Sequence, residues 1–174
     1  MKISVGVLTV SDRCSRGEAE DASGPLIREL VMERLQAEVR EQAIVPDERD
    51  SIRRVLTEWC DEKGLDLIIT TGGTGFAPRD VTPEATRGII EREAPGLAEA
   101  MRNEGAKATP HAMLSRGVAG IRGQTLVVNL PGSTKAVREG LEVIFPVLPH
   151  GIEILREAAG SDLRHGYQDR SQKS

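Results

Sequence analysis

Apolar positions along this chain switch between two periods, and the switching predicts alternating strands and helices. Ile3 to Val10 reads Ile-Ser-Val-Gly-Val-Leu-Thr-Val, β-rich and apolar on both faces, as a buried strand of a parallel sheet is. A polar loop, Ser11 to Glu18, follows; Asp21, Ser23 and Pro25 then supply caps and a first-turn proline for a helix with Leu26, Ile27, Leu30, Val31 and Leu35 on its apolar face. Glu38 to Val45 predicts a weaker strand that ends at Pro46-Asp47-Glu48. Ile52, Val55, Leu56, Trp59 and Cys60 mark the next helix, with Asp50 or Ser51 as its cap. Leu65 to Thr71 predicts a third strand. Helical spacing returns from Pro83 to about Arg92 and from Ala94 to about Glu104, whereas 105–117 is polar and mixed. Val118 to Leu130 predicts two short strands around Arg122-Gly123-Gln124, a hairpin. A last helix is expected from about Ser133 to Ala158, kinked or split by Pro146 and Pro149. Periodicity is lost from Gly160, so the expectation is a single domain over 1–160 and a flexible tail over 161–174.

This alternation predicts an α/β fold, a three-layer α/β/α arrangement with a mostly parallel central sheet and a small hairpin subregion. In such sheets ligands sit outside the carboxyl ends of the strands. Four polar turns would meet there: Ser11 to Gly17, Pro46 to Glu48, Gly72 to Asp80 and Pro131 to Ser133.

The third of these turns, Gly72-Gly73-Thr74-Gly75-Phe76-Ala77-Pro78-Arg79-Asp80, carries the strongest chemical signal. Glycines let the backbone take positive φ and approach a ligand, and consecutive N–H groups in such a turn form an anion-binding nest. Thr82-Pro83 predicts a helix start just beyond, whose N-terminus adds donors for a phosphate or carboxylate. The spacing is neither a Walker loop nor a Rossmann fingerprint. A tight connection that binds nothing is the bland alternative, but Thr74, Arg79 and Asp80 have no evident core role. Asp47 on its own segment reads as a cap or turn residue; its place at another strand end keeps a functional reading open. His111 beside Pro110 reads as an ordinary surface or packing histidine, and Cys14 as a bystander thiol.

Composition narrows the function class. The 174 residues, 39% hydrophobic and 29% charged, suit one globular domain, and 2% aromatics make its core aliphatic. A net charge of −4 argues against a nucleic-acid binder, which would show a basic stripe and stacking aromatics. Cys14 and Cys60 have no metal-ligand spacing, and no apolar run reaches 18 residues, so a reduced, cytoplasmic protein without a membrane partner is expected. Two separate aspartates, a glycine nest, hydroxyls and arginines, with no Cys–His or Ser–His nucleophile, suit phosphoryl or nucleotidyl transfer. In that reading Asp47 and Asp80 hold metal and orient the attacking group.

Taken in order, Val5 to Asp12, Pro46-Asp47, Thr70 to Gly75, Arg79-Asp80-Val81-Thr82-Pro83-Glu84-Ala85 and Asn129-Leu130-Pro131-Gly132-Ser133 resemble the Mog/MoaB-type molybdenum-cofactor biosynthesis proteins, a family that includes the N-terminal domain of gephyrin. The resemblance covers most of the chain. It implies a homotrimeric α/β domain that adenylylates molybdopterin with ATP and Mg²⁺, releasing pyrophosphate, and a downstream molybdenum-insertion protein as partner. It also implies Asp47 and Asp80 as the catalytic pair and Mg²⁺ ligands, and Ser11, Asp12, Gly72, Gly73, Thr74, Gly75, Pro131, Gly132 and Ser133 as substrate-binding positions. Two other readings use the same loops: a molybdopterin carrier or scaffold without turnover, and a nucleotide-binding regulatory domain.

Overall fold

Strands apolar on both faces must be covered on both faces, and the architecture follows from that requirement. The computed structural model describes residues 2–168. Its strands are β1 (Ser4–Val10), β2 (Glu38–Val45), β3 (Leu67–Thr71), β4 (Arg92–Glu93), β5 (Ala119–Arg122) and β6 (Thr125–Leu130), in one sheet of order β2-β1-β3-β6-β5-β4. β2, β1, β3 and β6 are parallel, and β5 and β4 are added antiparallel. Every residue of β1, β3 and β6 is buried. β2 alternates instead between exposed and half-buried residues, because it is an edge strand, which explains its weaker apolar pattern.

The helices are α1 (Asp12–Ser15), α2 (Ser23–Leu35), α3 (Arg49–Asp61), α4 (Thr82–Arg87), α5 (Pro95–Ala108), α6 (Thr134–Ile144) and α7 (Leu148–Gln168). On one face of the sheet Ile27, Leu30, Val137, Leu141, Ile144 and Ile152 pack on Val5, Val7, Ile69 and Val128. On the other, Ile52, Leu56, Trp59 and Ala85 pack on Leu8, Val10, Ile68 and Val127. These two aliphatic cores make the three layers. Among the described residues no helix is long and apolar enough to cross a membrane.

Several boundaries differ from the sequence expectation, each for a local reason. The polar loop after β1 contains the short helix α1, capped by Ser11, whose Oγ accepts from the Cys14 N–H at 3.2 Å. The helix expected to run to Arg92 ends at Arg87, since the next residues are captured by the sheet: the Glu91 N–H donates to Ile121 O (2.8 Å), and Arg92 pairs with Ile121 in β4. The segment 105–117 completes α5 and forms a 3₁₀ turn, Pro110–Leu114, capped by Thr109. The expected long final helix is two helices, divided at Phe145-Pro146-Val147, with Pro149 tolerated in the first turn of α7. α7 runs on to Gln168, past the boundary at 160; the remainder of the expected tail, 169–174, lies outside the described residues.

Register sets the site. Thr71 is level with Thr9 and Leu130, and Val10 with Val45, so the four parallel strands finish side by side and release their turns on one rim.

Candidate active site

The glycine loop leaves β3 through two residues that only glycine accommodates. Gly72 and Gly73 have φ of 95° and 65°; a Cβ on Gly72 would lie 2.3 Å from Val10 O, and one on Gly73 2.4 Å from Thr82 Oγ1. The buried Thr82 pins the turn: its Oγ1 donates to Gly72 O (2.9 Å) and its N–H to Gly73 O (3.1 Å). Thr74 is buried too. Further along, the Ala77 N–H donates to Asp80 Oδ2 (2.9 Å) and the Asp80 N–H to Ala77 O (2.9 Å), so Asp80 closes a turn of its own loop.

Opposite this loop, the turns after β1 and β2 are locked together. The Asp12 N–H donates to Asp47 Oδ2 (2.8 Å), and the Asp47 N–H donates to Asp12 Oδ1 (3.0 Å). Arg79 reaches across from the glycine loop and makes a two-point pair with Asp12, Nε to Oδ2 at 2.6 Å and Nη2 to Oδ1 at 2.9 Å. The Arg79 hydrogen bonds hold the Asp12 carboxyl at about 2, below its ordinary value. Asp47 is shifted the other way: burial raises it, the Asp12 and Asp80 charges raise it further, and the Asp12 N–H only partly offsets them. Its Oδ1 lies 3.0 Å from where a Cβ on Gly73 would be, so the bare glycine leaves room for that oxygen. Asp80 Oδ2 is likewise 2.9 Å from the Cβ position of Gly75.

The fourth turn is cross-tied to its neighbours. Thr71 Oγ1 donates to Pro131 O (2.8 Å), Ser23 Oγ donates to Gly132 O (2.6 Å), and Ser133 Oγ accepts from the Ala136 N–H (3.2 Å), capping α6. Two cavities flank this turn and the start of α6. One, of about 310 Å³, is walled by Met101, His111 and Leu114 and reaches Gly75, Pro131 and Ser133. The other, of about 260 Å³, is bounded by Ser11, Cys14, Thr71, Gly72, Gly132 and Thr134. The predicted binding residues therefore divide: Gly75, Pro131 and Ser133 on one side, Ser11, Gly72 and Gly132 on the other. Gly73 lies between Asp47 and Thr82, and Asp12 supports Asp47 rather than lining either cavity. The start of α6 lies between the two cavities, Ser133 lining one and Thr134 the other, and a helix N-terminus favours an anion.

Among the described residues no group of three His, Cys, Asp or Glu side chains forms a ready-made metal cage. Two carboxylates beside an anion nest suit Mg²⁺, a hard cation that takes one or two carboxylates and completes its shell with phosphate oxygens and water. Asp80 is close enough for its charge to act on Asp47, and each carboxylate leaves an oxygen outside its backbone hydrogen bond.

Sequence reasoning gave no role to three residues that organise this rim, Asn129 having entered only as part of a motif. Arg116, in the segment without periodicity, donates from its backbone N–H to Thr74 O (2.8 Å), from Nε to Gly75 O (2.8 Å) and from Nη2 to Asp80 O (2.6 Å), and pairs through Nη1 with Glu84. Burial pushes the Glu84 carboxyl up, but the Arg116 bond and nearby charges bring it below its ordinary value. Arg102 donates to Ser115 O and Gly117 O, either side of Arg116. Asn129, 1% exposed, accepts from the Val118 N–H and donates to Thr70 Oγ1 (3.0 Å) and Thr86 Oγ1 (2.9 Å). The available signal was a cation between small residues, Ser115-Arg116-Gly117, directly before a strand.

Residues 6–150 match the family model described as "Probable molybdopterin binding domain". The chain is 47% identical to the molybdopterin adenylyltransferase of Helicobacter pylori J99, with 88% of each covered. It is 45% identical to gephyrin of Dictyostelium discoideum over 95% of its own length but 24% of gephyrin; it spans about a quarter of that relative, and 26% of the Drosophila melanogaster cinnamon protein. The crystal structure of the molybdopterin biosynthesis enzyme MoaB from Thermus thermophilus superposes with a TM-score of 0.83 at 55% identity, covering 88% of this chain and 96% of that one.

Proposed function

The chain belongs to the molybdopterin-binding family of molybdenum-cofactor biosynthesis proteins, and from that premise we propose that it transfers the adenylyl group of ATP to molybdopterin and releases pyrophosphate. The observation that carries this reading is a pair of cavities on either side of the Pro131–Ser133 turn, one reaching Gly75 and the other Gly72 of the glycine loop, with Asp47 against Gly73 and Asp80 against Gly75. A reaction between two phosphorylated molecules needs that layout: a place for each organic part, and their phosphates brought together.

In this mechanism an oxygen of the molybdopterin phosphate attacks the α-phosphorus of ATP. A new Pα–O bond forms while the bond from the α-phosphorus to the oxygen bridging to the β-phosphate breaks, and the electron pair leaves with pyrophosphate. The Gly73–Gly75 backbone and the start of α6 orient the phosphates through N–H donors, which act without reorganising as charge moves. Asp47 and Asp80 would hold the cation. A Mg²⁺ held there would offset the repulsion that two carboxylates otherwise exert on a polyphosphate and would neutralise developing phosphate charge. Asp12, tied to Arg79, keeps Asp47 in place from behind.

The same reading includes a cytoplasmic homotrimer that passes its product to a molybdenum-insertion protein. Pyrophosphate release from Mg-ATP, with and without molybdopterin, tests the central claim. Release that requires molybdopterin and disappears in Asp80→Ala supports it. Tight molybdopterin binding with no release would make the chain a carrier or scaffold, and ATP binding indifferent to the pterin would make it a nucleotide-responsive regulator.

A further inference from the structure

We propose that Arg116 is a positioning residue for the adenylyl transfer, holding the glycine loop and Asp80 in their working geometry from a distant part of the chain. The inference rests on the function proposed above. Its basis is the number and direction of the bonds this one residue makes. Its guanidinium and backbone N–H take three carbonyls of the loop, Thr74 O, Gly75 O and Asp80 O, at 2.8, 2.8 and 2.6 Å, so both ends of the Phe76–Arg79 excursion are fixed to one residue. With those carbonyls turned to Arg116, the N–H groups of the same peptides are aimed the opposite way, as a nest for anions requires.

Arg116 is itself held. Nη1 pairs with Glu84 on the first turn of α4, and the other oxygen of this half-buried carboxylate is buried without a hydrogen-bond partner, so Arg116 supplies the charge that offsets its partial burial. From the other direction Arg102 on α5 donates to Ser115 O and Gly117 O at 3.4 and 2.9 Å. Arg102, Ser115, Gly117 and Gly75 also line the 310 Å³ cavity. The wall of that cavity and the support of Asp80 are thus one connected set, and a molecule filling the cavity presses on the clamp that places the carboxylate.

Arg116→Ala and Arg116→Lys test this by steady-state pyrophosphate release and by amide hydrogen exchange. Misplacing a catalytic group by about 1 Å costs on the order of a hundredfold, so kcat of Arg116→Ala is expected to fall about a hundredfold, with KM for ATP and molybdopterin changed by no more than about threefold. Exchange of the Gly75–Asp80 amides should accelerate while β3 stays protected, and added guanidinium at millimolar concentration should recover part of the lost kcat. Lysine is a single-point donor that cannot span the loop carbonyls, so Arg116→Lys should show the same pattern more weakly; it decides the matter if the alanine variant does not fold. Turnover within about twofold of wild type together with unchanged loop exchange would overturn the proposal. Should wild type itself release no pyrophosphate, the adenylyltransferase reading fails, while the exchange difference still decides whether Arg116 holds the loop.

Discussion

Asp12 and Asp47 exchange backbone hydrogen bonds, yet their carboxyls titrate in opposite directions, and each direction has a consequence for stability. Arg79 depresses Asp12 to about 2, so its contribution is fully present above its ordinary value of 3.8 and is lost only as pH falls through about 2. Asp47 is raised by burial, so the folded state binds its proton more tightly than the unfolded chain does. Its ionised form costs stability at neutral pH, and that cost is relieved as pH falls through the raised value. Asp47→Asn, whose amide oxygen still accepts from Asp12, should therefore melt higher than wild type at pH 7, with the gain vanishing in acid. Melting curves from pH 7 to 4 read this directly, and identical melting across the series would contradict the assignment. In pyrophosphate release, Asp47→Ala and Asp80→Ala are each expected to lose at least about a hundredfold in turnover with the fold intact, and full activity in either purified variant would remove that residue from the mechanism.

Glycine offers a paired test at the same scale. A Cβ on Gly73 meets Thr82 Oγ1 at 2.4 Å and Asp47 Oδ1 at 3.0 Å, whereas one on Gly123 in the hairpin meets nothing within 4 Å; both have positive φ. Gly123→Ala should cost about 1 kcal/mol of backbone strain and keep turnover. Gly73→Ala adds displacement of the loop anchor and the carboxylate, so it should cost more than about 2 kcal/mol and abolish turnover. Urea denaturation beside the activity assay separates the two.

At the scale of elements, Asn129 joins β6 to β3 through Thr70, to α4 through Thr86 and to the chain entering β5 through Val118. Removing it leaves several buried polar groups without partners, and Asn129→Ala should destabilise the protein by about 3 kcal/mol in urea denaturation. The elements themselves were largely legible, since two-face apolar runs for β1, β3 and β6 and a 3.6-residue stripe on α2 and α3 state how each is buried. Their ends were less so. Ile89, Ile90 and their neighbours satisfy a helical pattern, but Glu91 and Arg92 gain sheet partners that become available only when β5 is in place. The 3₁₀ turn at Pro110–Leu114 has too few residues to express a period.

For the whole molecule, a homotrimer is the proposed state, and light scattering that returns a stable monomer would contradict it. Apolar period, turn residues and first-turn prolines are local properties, so the sequence alone determined the α/β class and the parallel strands, and it singled out the glycine loop as the proposed place for an anion. Asp47 and Asp80 could be named as candidates as well, because chain order places Asp47 just beyond β2 and Asp80 in the glycine loop before α4. Only the tertiary structure decided what these groups do to one another. Pairing Asp12 with Arg79, turning Asp47 against Gly73, dividing the rim into two cavities and bringing Arg116 onto Thr74, Gly75 and Asp80 all depend on groups far apart in the chain meeting in space, 67 residues for Asp12 and Arg79 and 109 for Ser23 and Gly132. Those contacts are set by sheet order and register, long-range quantities that no local pattern of residues encodes.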